Sequence, residues 1–384
     1  MGRNCGGAAG LVRTVCRLQI CDTAEYNSAL RLRFGNAGLL GSLRLRVGNA
    51  GLILISAGCV LFCGCSHVSK GPAPAETQRV WPDPPDPPRI AYVQSVFRPG
   101  DLGIKTSAFT RFGHWVTGSD KGNEPLLKPF GISLDENDNL CLTDTGANTV
   151  CYYDRAKKKW ARWSQAGRIR FASPVAVAKH AGVFYVADSV LASIVAFDES
   201  GKLRFRITNH LARPSGLAIM DEHLFVADSQ RHVVVVFDLQ GNFQTEFGRR
   251  GTGPGQFNFP THVAAGQESR LLITDSLNSR VQSLSRDGAA RGEVGRLGDS
   301  PGHFSRPKGA ATDSLGHIYV IDALFDNIQI FDPSGRLLLS FGDSGAQPGQ
   351  FWLPNGIAIS RSNEIYVTDS YNHRIQVFKY IGPS

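Results

Sequence analysis

One unit recurs six times along the chain, and its clearest copy runs from Gln347 to Phe378 as QPGQFWLPNGIAISRSNEIYVTDSYNHRIQVF. Fixing on one Asp per copy gives Asp144, Asp188, Asp228, Asp275, Asp322 and Asp369, at steps of 44, 40, 47, 47 and 47 residues. Fixing on the Pro that opens each copy gives Pro129, Pro174, Pro214, Pro260, Pro307 and Pro354. Two independent markers keep one beat, which chance similarity does not explain. A period of this size belongs to architectures in which each copy is one supersecondary unit that buries its apolar faces on its neighbours.

Within a copy the pattern is short and β-like. A small apolar run (Gly356-Ile357-Ala358-Ile359) leads through a polar turn to Ile365-Tyr366-Val367-Thr368, and a polar loop leads on to Arg374-Ile375-Gln376-Val377-Phe378. Runs rich in β-branched and aromatic residues, separated by turn residues, read as antiparallel strands. Full copies add a fourth strand, as in Leu337-Leu338-Leu339-Ser340-Phe341. Helical periodicity is missing between the runs, which excludes a parallel sheet with crossover helices. The fold class is therefore all-β, a six-bladed β-propeller of four-stranded antiparallel blades. Positions two before each Asp (Leu142, Val186, Val226, Ile273, Val320, Val367) and nine after it (Tyr153, Phe197, Phe237, Leu284, Phe331, Phe378) are apolar, as stacking between blades requires.

The sixth copy stops after its third strand, with only Lys379 to Ser384 beyond it, while Arg89 to Phe97 (RIAYVQSVF) is an alternating β stretch that belongs to no copy. The consistent arrangement has this N-terminal strand completing the last blade, which removes two sheet edges open to aggregation. An irregular segment, Asp101 to Leu127, follows and is expected to hold a short helix near Ser107 to Trp115.

The copies resemble the NHL repeat in their P-x-G-I/L-A opening, their I-Y-V-x-D-S-x-N-x-R-I/V-Q-V-F middle and the G-x-x-P-G-Q-F linker at Gly253 to Phe257 and Gly345 to Phe351. The resemblance covers Pro129 to Phe378 and implies the fold. It leaves activity open, because members of the family include binding scaffolds, RNA-binding propellers and a few lyases.

Three stretches follow from composition: a leader over 1–65, a Pro-rich tether over 66–88 and the propeller over 89–384. Residues 1–65 hold seven Arg and two acids, a net of +5, and the remainder holds 34 basic and 31 acidic residues, a net of +3. A nearly balanced propeller gives little encouragement to a nucleic-acid partner. From Val47 to Gly64 the chain is apolar and almost uncharged behind Arg44 and Arg46, the pattern of a secretory signal. Its end, Leu61-Phe62-Cys63-Gly64-Cys65-Ser66, resembles the lipobox of bacterial lipoproteins, which implies lipidation at Cys65, with Cys59 as the competing match. An uncleaved anchor is the alternative, since the run is just long enough to span a bilayer. The lipoprotein reading places the protein in the bacterial cell envelope, periplasmic or on the outer membrane. The stretch KGPAPAETQRVWPDPPDPP is expected to be extended and semi-rigid.

In the first copy Cys141 and Cys151 stand three before and seven after Asp144. With the turn centred between Asp144 and Asn148 they face each other, and a cross-strand disulfide is expected, two buried thiols being the alternative.

The six Asp suggest a calcium ring, but Ser or Thr follows five of them, and an Asp ending a strand usually bonds nearby backbone N–H groups. Repetition favours that structural role. Asymmetry is found instead just after each Pro, where Phe130, Val175, Ser215, Thr261, Lys308 and Asn355 should ring one channel mouth. The next position is Gly or Ala in every copy but one, which has His262. Ser215, Thr261, His262, Lys308 and Asn355 are thus the candidate ligand-binding set. His262 is either a ligand-contacting group or general base, or a satisfied structural histidine. The loops between second and third strands add Leu191, Leu324, Phe325 and Tyr371 as a candidate partner rim.

An amidating-lyase reading of the family would want several His converging for zinc, where at least three protein ligands are needed. A lactonase reading would want carboxylates in the mouth, where the sequence has none. Cys63-Gly64-Cys65-Ser66-His67 lacks the C-x-x-C-H spacing of a c-type haem. The expectation is a lipid-anchored scaffold without catalytic residues, metal or cofactor, binding a protein or small ligand and no nucleic acid. The alternative is an extracytoplasmic lyase or hydrolase acting through His262 and Lys308.

Overall fold

The computed structural model describes residues 79–104 and 122–382, all within one compact unit that spans Gly71–Ser384. The leader with Cys65 and Cys59, residues 66–78 of the expected tether and the helix expected near 107–115 lie outside the described residues. Among the described residues there is no α-helix, only three 3-10 turns at Pro99–Leu102, Ser276–Asn278 and Ser370–Asn372.

Blade 1 comprises Pro129–Leu134, Leu140–Asp144, Thr149–Asp154 and Lys159–Trp163, paired antiparallel in that order. Blades 2 to 5 repeat it from Pro174, Pro214, Pro260 and Pro307. Each first strand packs beside the first strand of the next blade, and that of blade 6 (Pro354–Ile359) packs beside that of blade 1, so the sheets form a ring. The first strands crowd the axis, which explains the small residue two places after the Pro in every blade but the fourth. A Cβ on Gly356 would come within 2.6 Å of the Phe130 carbonyl oxygen in the next blade.

The core is distributed as stacking requires. Six buried apolar clusters each fill one gap between adjacent blades, for example Cys141, Val150 and Tyr152 of blade 1 against Val177, Phe184 and Val186 of blade 2. Large side chains such as Phe197, Phe237, Phe331 and Phe378 are fully buried there. Each buries apolar area worth roughly 2–3 kcal/mol, so the ring is held by contacts between blades more than within them.

The repeated Asp are the fasteners of this arrangement. Asp144 accepts hydrogen bonds from the Leu127 (2.7 Å) and Lys128 (2.9 Å) N–H groups of the incoming segment and from Gly146 and Ala147 of its own loop (3.0 Å each). Asp188 and Asp228 do the same with their counterparts. In blades 4 and 6 an Arg joins, with Arg280 Nε 3.0 Å from Asp275 and Arg374 Nε 2.8 Å from Asp369. These carboxylates are consumed by loop closure.

The N-terminal strand Ile90–Val96 pairs antiparallel with Arg374–Tyr380 and completes blade 6, as the truncated sixth copy required. Beyond it lies a fifth strand, Val80–Trp81, that the Pro-rich composition did not suggest. Trp81 is buried against Phe341 and Phe378, with ring centroids 5.5 and 5.7 Å apart. Arg79 donates to the Pro348 carbonyl (2.6 Å) and pairs with Asp343 (3.3 Å). The stretch expected to be an extended tether is therefore docked on blade 6 at residues 79–81, while 83–88 are exposed.

The expected disulfide is absent. Asp144 pairs with Thr149, one residue away from the assumed register, so Cys141 faces Tyr152 and Cys151 faces Leu142. A slip of one residue sends side chains to opposite sheet faces. Cys141 lies in the gap toward blade 2 and Cys151 in the gap toward blade 6, both as buried free thiols. Burial pushes both thiols above the ordinary range, Cys151 to about 11.

Candidate functional site

Within a blade the first strand descends from its opening Pro, so the residues after each Pro, the linkers into the Pro and the loops between second and third strands share one end of the channel. The turns between first and second strands share the other. The channel holds a cavity of about 360 Å³ lined by the lower parts of all six first strands, from Ile132 round to Ile359, and by His262.

Ser215, Thr261, Lys308 and Asn355 stand at the Pro end, each partly exposed. The Ser215 hydroxyl is already used, donating to the carbonyls of Ala227 (3.1 Å) and of Pro260 in blade 4 (2.9 Å). Thr261 presents a buried hydroxyl without a partner.

His262 fills the place held by glycine in blades 1, 3, 5 and 6. It pairs with Thr274 across the sheet, so both side chains leave the same face, toward blade 5. Its counterpart pair in blade 6 shows what the histidine changes. There Thr368 accepts from the Gly356 N–H (2.7 Å) and donates to the Phe130 carbonyl of blade 1 (2.7 Å). Thr274 is equally buried, but its hydroxyl has no such partner. Burial lowers the pKa of His262 to about 4, against a smaller opposing effect of the Ala310 backbone. At neutral pH the ring is uncharged.

The rim is more extensive than the sequence suggested. Leu324, Phe325 and Tyr371 are exposed, whereas Leu191 is half-buried and its neighbour Val190 is the exposed residue. Leu127, Leu277 and Trp352 join them on the same face. Trp352 and Tyr371 lie with ring centroids 5.6 Å apart, and Lys128 Nζ sits 4.7 Å over the Tyr371 ring. Aligning the residues two before each Pro would have revealed Leu127 and Trp352.

At the other end lies a polar group that sequence reasoning missed. Lys179 Nζ is 3.1 Å from Asp135 and 3.2 Å from Glu199, and Tyr152 donates to Asp135 at 2.9 Å. Burial opposes the ammonium charge, but the two carboxylates and the Tyr152 hydroxyl outweigh it and hold Lys179 above the ordinary lysine value. A charged lysine pinned between carboxylates ties blade 1 to blade 2 and is a poor nucleophile. The one signal was a lysine in the apolar run Val175-Ala176-Val177-Ala178. Among the described residues no three His, Cys, Asp or Glu side chains gather closely enough to hold a metal ion.

A family model described as the NHL repeat matches residues 351–378, and one described as a 6-bladed beta-propeller matches residues 202–288. Among solved structures, a streptogramin B lyase is similar at 13% identity and a TM-score of 0.51, over 67% of this chain and 95% of that one. An auxiliary nutrient binding protein from Bacteroides thetaiotaomicron is similar at 13% identity and a TM-score of 0.54, over 68% and 71%. One from Bacteroides ovatus is similar at 14% identity and a TM-score of 0.51, over 67% and 70%. At such identities the likeness is one of fold. With the repeated sequence unit and the ring of sheets, these matches identify the fold as a six-bladed β-propeller that carries an NHL repeat at residues 351–378.

Proposed function

We propose that this propeller is a binding module of the bacterial cell envelope, lipid-anchored through Cys65, that receives a protein or small ligand over the Pro end of its channel. The observation that carries this reading is the exposed apolar arc of Leu324, Phe325, Trp352, Tyr371 and Leu127 beside a mouth of hydrogen-bonding side chains. Exposed apolar groups that adjoin one another, rather than scatter, mark interaction surfaces. The same fold serves proteins named for nutrient binding and for lyase activity, and neither name decides the role here.

Site-specific photocrosslinking tests the face. A crosslinker at Trp352 or Tyr371 of the chain in its native envelope should trap a partner, and one at Glu222 on the far end should not; the reverse pattern refutes the reading. Cys65→Ser should abolish labelling by a fatty-acid probe, and persistent label would move the lipid to Cys59 or remove it.

A second reading, an extracytoplasmic lyase or hydrolase, is favoured by one observation, the neutral His262 beside the unpartnered Thr261 and Thr274 hydroxyls. Metal analysis before and after His262→Ala separates the two. Stoichiometric zinc or calcium that disappears with the imidazole supports the enzyme, and crosslinking unchanged by the substitution supports the binding module.

A further inference from the structure

The near-neutral net charge of the propeller hides a separation between its two ends. The two residues before each opening Pro, the residue after it and the loops between second and third strands contain five cations, Lys128, Arg213, Arg231, Arg306 and Lys308. They contain one carboxylate, Asp326, which is almost fully buried and accepts the Leu353 N–H at 2.8 Å. At the far end, the turns between first and second strands contain seven carboxylates, among them Glu136, Asp138, Glu222 and Glu268, against the single Arg361, and the turns between third and fourth strands add three carboxylates and six cations, so that end is net acidic by three.

The cationic end is also the apolar end. Large apolar side chains are exposed on it, and five of them, Leu127, Leu324, Phe325, Trp352 and Tyr371, follow one another round blades 5, 6 and 1. Hydrogen bonds join this arc: the Tyr371 N–H donates to the Trp352 carbonyl at 3.2 Å, and the Leu353 N–H, donating to the Asp326 carboxylate, ties in the loop of Phe325. Two of the cations stand on aromatic faces, Lys128 on Tyr371 and Arg213 on Phe259 at 5.6 Å. Arg231 is ion-paired with Glu246 at 2.8 Å.

We infer that this face docks an acidic polypeptide segment carrying aromatic or aliphatic side chains. The inference rests on the reading of the propeller as a binding module and names its partner's chemistry. Aromatic residues and arginine at the centre of a patch, with charge of one sign, match the composition of protein interfaces and select a partner of opposite sign. An anionic bilayer fits less well, because the polar side chain of Asn355 lies within the ring, where carboxylate side chains of a flexible segment reach and a flat surface does not. Nucleic acid fits less well because five dispersed cations neutralise few phosphates.

The test uses the full-length chain in phosphatidylcholine nanodiscs and a fluorescein-labelled peptide repeating Glu-Glu-Tyr-Leu. Saturable, salt-sensitive binding is expected. Arg213→Glu with Lys308→Glu should weaken it about tenfold and Trp352→Ala about fivefold, whereas Glu136→Lys with Glu222→Lys on the far end should leave it unchanged. All five positions are at least partly exposed, and circular dichroism checks that each variant folds. Equal affinity for a Lys-Lys-Tyr-Leu repeat, insensitivity to the mouth substitutions, or preference for phosphatidylglycerol vesicles or a thymidine oligonucleotide would each overturn the inference. A crosslinked partner with a neutral or basic segment on the rim would overturn it while leaving the binding module standing. Failure of both peptide and rim crosslinking removes both.

Discussion

His262 is the residue at which this propeller departs from its own rule, and its setting has a measurable consequence. An imidazole with an ordinary pKa near 6.5 is held at about 4 in the channel, chiefly by burial. Between those values the unfolded chain binds the proton and the folded chain does not, so the contribution of His262 to stability is complete above pH 6.5 and is lost as pH falls toward 4. The full shift corresponds to about 2–3 kcal/mol, allowing for partial exposure of the ring. His262→Ala, which restores the small side chain of the other blades, should therefore narrow the difference in melting temperature between pH 7 and pH 4.5; parallel losses in both proteins would remove His262 as the cause. Single residues differed in how far the sequence disclosed them. The six Asp were legible as loop fasteners because they recur with turn residues beside them. The register of the first hairpin was not, since a shift of one residue in an assumed turn leaves the apolar pattern intact while it carries Cys141 and Cys151 to opposite faces.

At the level of elements, the outermost strand of blade 6 is the least expected and the easiest to probe. Val80–Trp81 is too short for any periodicity, and the prolines around it read as an extended linker. What fixes it is one large side chain in a gap between aromatic rings, where the absent side chain of Gly349 leaves room; a Cβ there would strike the indole. Trp81→Ala should lower unfolding free energy by about 3 kcal/mol, because it empties a buried site, whereas Arg79→Ala should cost less than about 1 kcal/mol, as exposed ion pairs do. Denaturant titration of both variants checks the contrast, and equal costs would mean that the segment is held by charge rather than by packing. The strands of the six copies, by comparison, were readable because each alternates or runs apolar for the length of a blade.

The number of blades and the manner of closure could be read from the whole chain, since the period is long and the sixth copy lacks a strand that the N-terminal region supplies. The division of charge between the two ends could not, because net composition averages over surfaces that only the ring separates. Deleting residues 79–97 should leave Arg374–Tyr380 as a bare edge and give aggregating protein; a soluble monomer with unchanged melting temperature would contradict closure by this strand. Because the opening and closing strands share one sheet, a mechanical pull on the chain upstream of Arg79 does not simply unravel the protein from one end. The load meets Trp81 first and then the backbone hydrogen bonds that pair Ile90–Val96 with Arg374–Tyr380.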